Sequence, residues 1–221
     1  MLSDMSRLTF HIGQNVVTEH DQLRHARQAI ALARAGHSVA NGKANPALSA
    51  QMHAVEARGH ALLGDANSAR ATVNQAERHY ERARGDEEPA WFGFYTEAEL
   101  SADLGRCLRD VGDSERATRL ITQAMDGYEP WRVRSRCFVQ TDLAAAHIVG
   151  RDFEHAAAVG HAAVRTAAQV SSARMLDRLR TLRRQVRLLR TGSSHLGELD
   201  DRITDLLTRS NARRNDEETT A

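Results

Sequence analysis

Eleven histidines and two cysteines are the side chains in this sequence best suited to metal or nucleophilic chemistry. Their spacing argues against both. His53 and His60 share a helix face but stand two turns apart; His20 and His25 are five apart, and His155 and His161 six. None forms an i, i+4 pair or an H-E-x-x-H run, the arrangements that aim two imidazoles at one ion. Cys107 and Cys137 belong to no C-x-x-C pair, which excludes a zinc ribbon or disulfide framework and leaves two reduced core thiols. No glycine-rich phosphate loop, G-x-S-x-G elbow or Cys/His dyad is present. No catalytic residue, metal site or cofactor is therefore assigned.

Two stretches carry the remaining chemistry. The first is Pro89–Asp113, PAWFGFYTEAELSADLGRCLRDVGD. Its aromatics Trp91, Phe92, Phe94 and Tyr95 suit either a clamp between helices or the apolar wall of a ligand site. Glu97, Glu99 and Asp103 line an acidic strip behind them. The second is 172–190, where Arg174, Arg178, Arg180, Arg183, Arg184, Arg187 and Arg190 face a single acid, Asp177. Its apolar residues Leu176, Leu179, Leu182, Val186 and Leu189 recur at threes and fours. That is a seam able to pack on a neighbouring helix or on a second copy of the chain. No aromatics are interleaved for base stacking.

Composition limits the background. In 221 residues, 30 basic against 29 acidic side chains give a net charge of +1, so no global field steers the chain to nucleic acid. Lys43 is the only lysine. Aromatics at 5% and three prolines disfavour a β-sandwich, and the wealth of Ala, Leu and Arg favours helix. No apolar run approaches a membrane span and no signal peptide is expected, so the chain is read as cytoplasmic, with no membrane partner.

The elements that would position these residues follow from period and punctuation. Apolar residues at helical spacing predict helices over 3–17, 20–35, 46–63, 66–83, 90–111, 114–127, 132–149, 153–169, 172–190 and 195–208. Gly36 is read as a helix stop and 36–45 as a loop. Pro46 opens a helix, and Asp65 is placed to cap one. Residues 209–221 lack an apolar face and are expected to be a disordered tail.

Three junctions repeat: GDANSA (64–69), GDSERA (112–117) and RDFEHA (151–156). Each ends in alanine (Ala69, Ala117, Ala156), with another seven residues on (Ala76, Ala124, Ala163). A small residue stands seven before each junction (Ala57, Gly105, Ala144). Small residues at these offsets let two antiparallel helices approach closely. The pattern resembles the tetratricopeptide repeat, although the steps from Ala69 to Ala117 and from Ala117 to Ala156 exceed its roughly 34 residues. The resemblance implies an all-α, tetratricopeptide-like right-handed superhelix of stacked antiparallel helical hairpins. It would form one domain over 1–208, with 172–208 as capping helices.

The central stretch, together with VRSRCF (133–138), LAAAHIVGRDFEHAAAVGHAAV (143–164) and SSARMLDRLRTLRR (171–184), also resembles the C-terminal sensor half of actinobacterial helix-turn-helix/tetratricopeptide regulators. That likeness covers about residues 20–208. It implies signal reception through a peptide, protein or small molecule. The family's DNA-binding domain is not expected in this chain, so direct DNA binding is not carried over. In the repeat register, Gln51, Arg58, Glu99, Arg106 and Arg109 line the concave groove, with Trp91, Phe94 and Tyr95 at its start. The expected function is a sensor or adaptor, as a homodimer through 172–190. The alternative is an enzyme using the same groove with Glu, His and Arg as acid–base groups, Glu99 and His147 among them.

Overall fold

The structure, a computed structural model, describes residues 19–40, 45–83, 95–170 and 172–219; the side chains of Glu19 and of 213–219 lie outside the description, as do the expected helix 3–17 and the aromatics Trp91, Phe92 and Phe94. Among the described residues the fold is all-α, with no strand. The helices are α1 (Glu19–Ala40), α2 (Pro46–Leu62), α3 (Ala66–Ala83), α4 (Glu97–Asp110), α5 (Ser114–Gly127), α6 (Val133–Val149), α7 (Phe153–Ala168), α8 (Ala173–Leu189) and α9 (Ser194–Thr219). A short 3-10 turn, Arg190–Gly192, joins the last two. None of the described helices is long and apolar enough to cross a membrane.

The chain divides into two compact units, Met1–Gly127 and Tyr128–Ala221. In the first, α2 packs on α1, α3 and α4, and α4 packs on α5. In the second, α6 packs on α7 and α8, and α9 covers α7 and α8.

The three repeated junctions fold alike. Gly64, Gly112 and Arg151 adopt left-handed φ of 75°, 81° and 61°. The next amide reaches back five residues in each: Asp65 to His60, Asp113 to Leu108 and Asp152 to His147, at 3.0, 2.9 and 2.9 Å. This closes the ending helix on its own carbonyls. The same aspartate then caps the following helix, its Oδ1 accepting from the amide of Ser68, Arg116 or His155. One dipeptide thus stops one helix and starts the next, which makes the hairpin.

All the small residues of the repeat are buried: Ala57, Gly105 and Ala144 on the first helices, and Ala69, Ala76, Ala117, Ala124, Ala156 and Ala163 on the second. The closest approaches fall at glycines. A β-carbon on Gly59 would lie 2.5 Å from Ile30, one on Gly105 2.5 Å from Ile121, and one on Gly160 2.6 Å from Leu199. In the second unit Met175, Leu179, Leu182 and Val186 of α8 pack with Leu196, Leu199 and Ile203 of α9 in one core. The apolar seam of 172–190 is therefore covered within its own chain; Leu188 is left 83% exposed.

Three boundaries differ from the sequence reading. Helix α1 does not stop at Gly36 but runs to Ala40, because Gly36 continues the buried face of Ala26, Ala29 and Ala33. Tertiary burial outweighs the helix penalty of glycine there. Helix α4 begins at Glu97 and leaves out Tyr95 and Thr96, because the Thr96 hydroxyl caps it, accepting from the Glu99 amide at 3.4 Å; the expected start at 90–94 lies outside the described residues. Helix α9 passes residue 208 and extends to Thr219.

Candidate functional site

Helix α2 is set by its cap. The Asn45 side chain accepts from the amides of Ala47 and Leu48, and Pro46 fills the first helical position. The helix is buried on nearly every side, and two of its faces bury polar groups. At about 100° per residue, Gln51 and Arg58 fall on one face, and His53, Glu56 and His60 on the opposite one.

The Gln51/Arg58 face meets α4. Arg58, only 8% exposed, forms an ion pair with Asp110. Arg109 pairs with the same carboxylate at 2.6 Å. One turn back, Arg106 pairs with Asp103 at 3.2 Å, and the buried Tyr95 donates its hydroxyl to Asp103 at 3.3 Å. Beside this row the Cys107 thiol donates to the Ala54 carbonyl of α2. Burial pushes that thiol up to about 11, so it stays protonated. Gln51 is 1% exposed and Glu99 is half-buried. The structure thus brings Arg58, Arg106, Arg109 and Tyr95 together along α2 and α4, each polar head engaged by a carboxylate of the same unit. Trp91 and Phe94 lie outside the described residues.

The opposite face of α2 meets α1 and α3. Arg34 of α1 donates Nε to Glu56 Oε1 at 2.6 Å, and His60 Nε2 lies 3.7 Å from the same oxygen. The other oxygen, Oε2, faces His53 Nδ1 at 3.8 Å, beyond hydrogen-bond length. The ring of His37 lies over that of His53, centroids 4.2 Å apart, and His79 of α3 stands 5.0 Å beyond. Burial pushes the Glu56 carboxyl up, but His53 and Arg34 outweigh it and hold it at about 2. Burial first, and the neighbouring His53 second, lower both His37 and His79. The cluster therefore holds a carboxylate beside imidazoles biased towards their neutral form.

Sequence reasoning did not find this group. Reading Gly36 as a stop placed His37 in a loop, when it lies on the last turn of α1, opposite α2. The H-x-x-E spacing of His53 and Glu56 was the available signal: an i, i+3 pair shares a helix face. His53 and His60 do share a face, as expected, but each meets a different oxygen of Glu56.

Compared with known proteins, the chain matches no family model and no curated protein.

Proposed function

We propose that the hairpins are tetratricopeptide-like repeats and that the protein is a non-enzymatic sensor or adaptor, binding a peptide, protein or small molecule that carries an acidic group. The supporting observation is the row of charged side chains along α2 and α4: Arg58, Arg106 and Arg109 held by Asp103 and Asp110. A packed interface built only for stability gains little from such pairs, because desolvation offsets most of the attraction. A recognition surface gains from them. Each guanidinium is held in position by an internal carboxylate, and an incoming carboxylate can take over its paired hydrogen bonds.

The test is a selection of binders from a random-peptide library on immobilised protein, followed by calorimetry. Arg106→Ala weakens the selected peptide by about 1.5–3 kcal/mol, the range for a hydrogen bond to a charged group. Arg209→Ala, an exposed residue of the second unit, leaves its affinity unchanged. Equal affinities for wild type and Arg106→Ala remove this row from the site.

A further inference from the structure

We propose that His37, His53 and Glu56 form a binding site for one divalent transition-metal ion of the zinc class. The site lies on the face of α2 opposite the arginine row, and it is independent of the recognition reading above.

One donor atom from each of the three residues lies within 4.8 Å of the others. Bonds of the usual length around a tetrahedral ion would place donors about 3.4 Å apart, so binding an ion requires the donors to close by up to about 1.4 Å. Two helices supply the donors: His37 from the last turn of α1, His53 and Glu56 from successive turns of α2.

A second observation points to a ligand. His37 Nε2 and His53 Nδ1 are both buried and have no hydrogen-bond partner. Buried polar atoms are nearly always satisfied, and an exception at two adjacent rings calls for a missing partner. A divalent metal ion is a partner that two imidazole nitrogens and a carboxylate can share. Glu56 is already arranged for it. Arg34 holds Oε1, which fixes the carboxylate plane and leaves Oε2 on the His53 side. Such an outer partner is a regular part of metal sites.

The donor set defines the class of ion. Two nitrogens and one oxygen suit zinc, cobalt or nickel, whereas magnesium and calcium take oxygen shells. Three protein ligands leave a fourth position for water or for an exogenous ligand.

The test uses tag-free full-length protein, stripped with chelator and titrated with ZnCl2 or CoCl2. One ion binds per chain, cobalt gives the intense visible bands of a four-coordinate complex, and MgCl2 does not compete. His53→Gln and His37→Gln each weaken binding by at least about 100-fold, since even outer partners are worth 10–100-fold; His195→Gln, on the exposed start of α9, binds as wild type. Should either variant fail to fold, ring-nitrogen NMR on the wild type decides: zinc shifts the His37 and His53 signals and not that of His195. Absence of saturable binding, retention of affinity in a folded His53→Gln variant, or zinc-induced shifts confined to other histidines would overturn the proposal.

Discussion

Gly105 of α4 lies so close to Ile121 of α5 that a β-carbon on it would come within 2.5 Å of Ile121 Cγ1 and 3.2 Å of the Ala117 carbonyl oxygen. The crossing is set by the absence of one methyl group. Gly105→Ala should destabilise the first unit by about 1–3 kcal/mol, the usual cost of overpacking, despite the better helix propensity of alanine. Gly197→Ala in α9, where nothing lies within 4 Å, should instead stabilise by about 0.5–1 kcal/mol. Urea unfolding of both variants checks the pair. Ala117→Leu tests the same crossing from the other side and should be at least as damaging as Gly105→Ala.

The third hairpin turn uses an arginine where the other two use glycine. Arg151 at φ 61° bears the steric cost of the left-handed region, about 1–2 kcal/mol. Arg151→Gly should therefore raise the melting temperature, while Gly112→Ala should lower it. If Arg151→Gly is neutral, its greater freedom in the unfolded chain has offset the relieved strain.

Asp200 of α9 is 1% exposed and is held by two arginines, Arg183 Nε at 2.9 Å and Arg190 Nη1 at 2.6 Å. Removing either one leaves the carboxylate a partner. Removing both strands it, at about 3–5 kcal/mol. The double variant Arg183→Ala/Arg190→Ala should thus lose more stability than the two single losses combined. Strict additivity in a denaturation cycle would show that the pairs act separately.

Asp152 accepts from the His155 amide and contacts its ring nitrogen at 2.9 Å. The Asp152 hydrogen bond, then its charge, raises the His155 pKa, and the same hydrogen bond lowers that of Asp152. A raised histidine contributes stability below its unfolded pKa and loses it as pH rises through the folded value. A lowered aspartate contributes above its unfolded pKa and loses it as pH falls through its own folded value. The pair therefore stabilises most between about pH 4 and 6.5. NMR titration should find His155 titrating above an ordinary histidine, and Asp152→Asn should return it towards the ordinary value.

Much of this architecture was legible because it rests on residues with narrow physical roles. Gly64 and Gly112 mark helix ends, Asp65 marks a cap, and the alanines at fixed offsets mark crossings; all of them occupy those positions, and the structure adds Asp113 and Asp152 as caps of the same kind. Arg58 and Arg106 were drawn to one face by the repeat register, and both lie along the α2–α4 row. The Arg58 partner was not foreseen, since Arg58 and Asp110 are 52 residues apart and nothing local couples them; Asp103 and Arg106 are i, i+3 neighbours on one helix. The histidine cluster was hidden by one misread glycine. The intrinsic preference of Gly36 is to end a helix, and only its burial on the α1 face shows that the helix continues to carry His37 across from His53.

Cys107 and Cys137 gain a use from their placement. Each unit buries one thiol, Cys107 bonded to the Ala54 carbonyl and Cys137 to that of Ala163, and burial pushes both to about 11. A thiol held in that state reacts with a disulfide reagent only when its surroundings open. The chain therefore contains its own pair of reporters. Under native conditions the labelling rate of Cys107→Ser protein measures the opening of the second unit, and that of Cys137→Ser protein the opening of the first. The difference between the two rates states whether the halves of the molecule breathe together or each on its own clock.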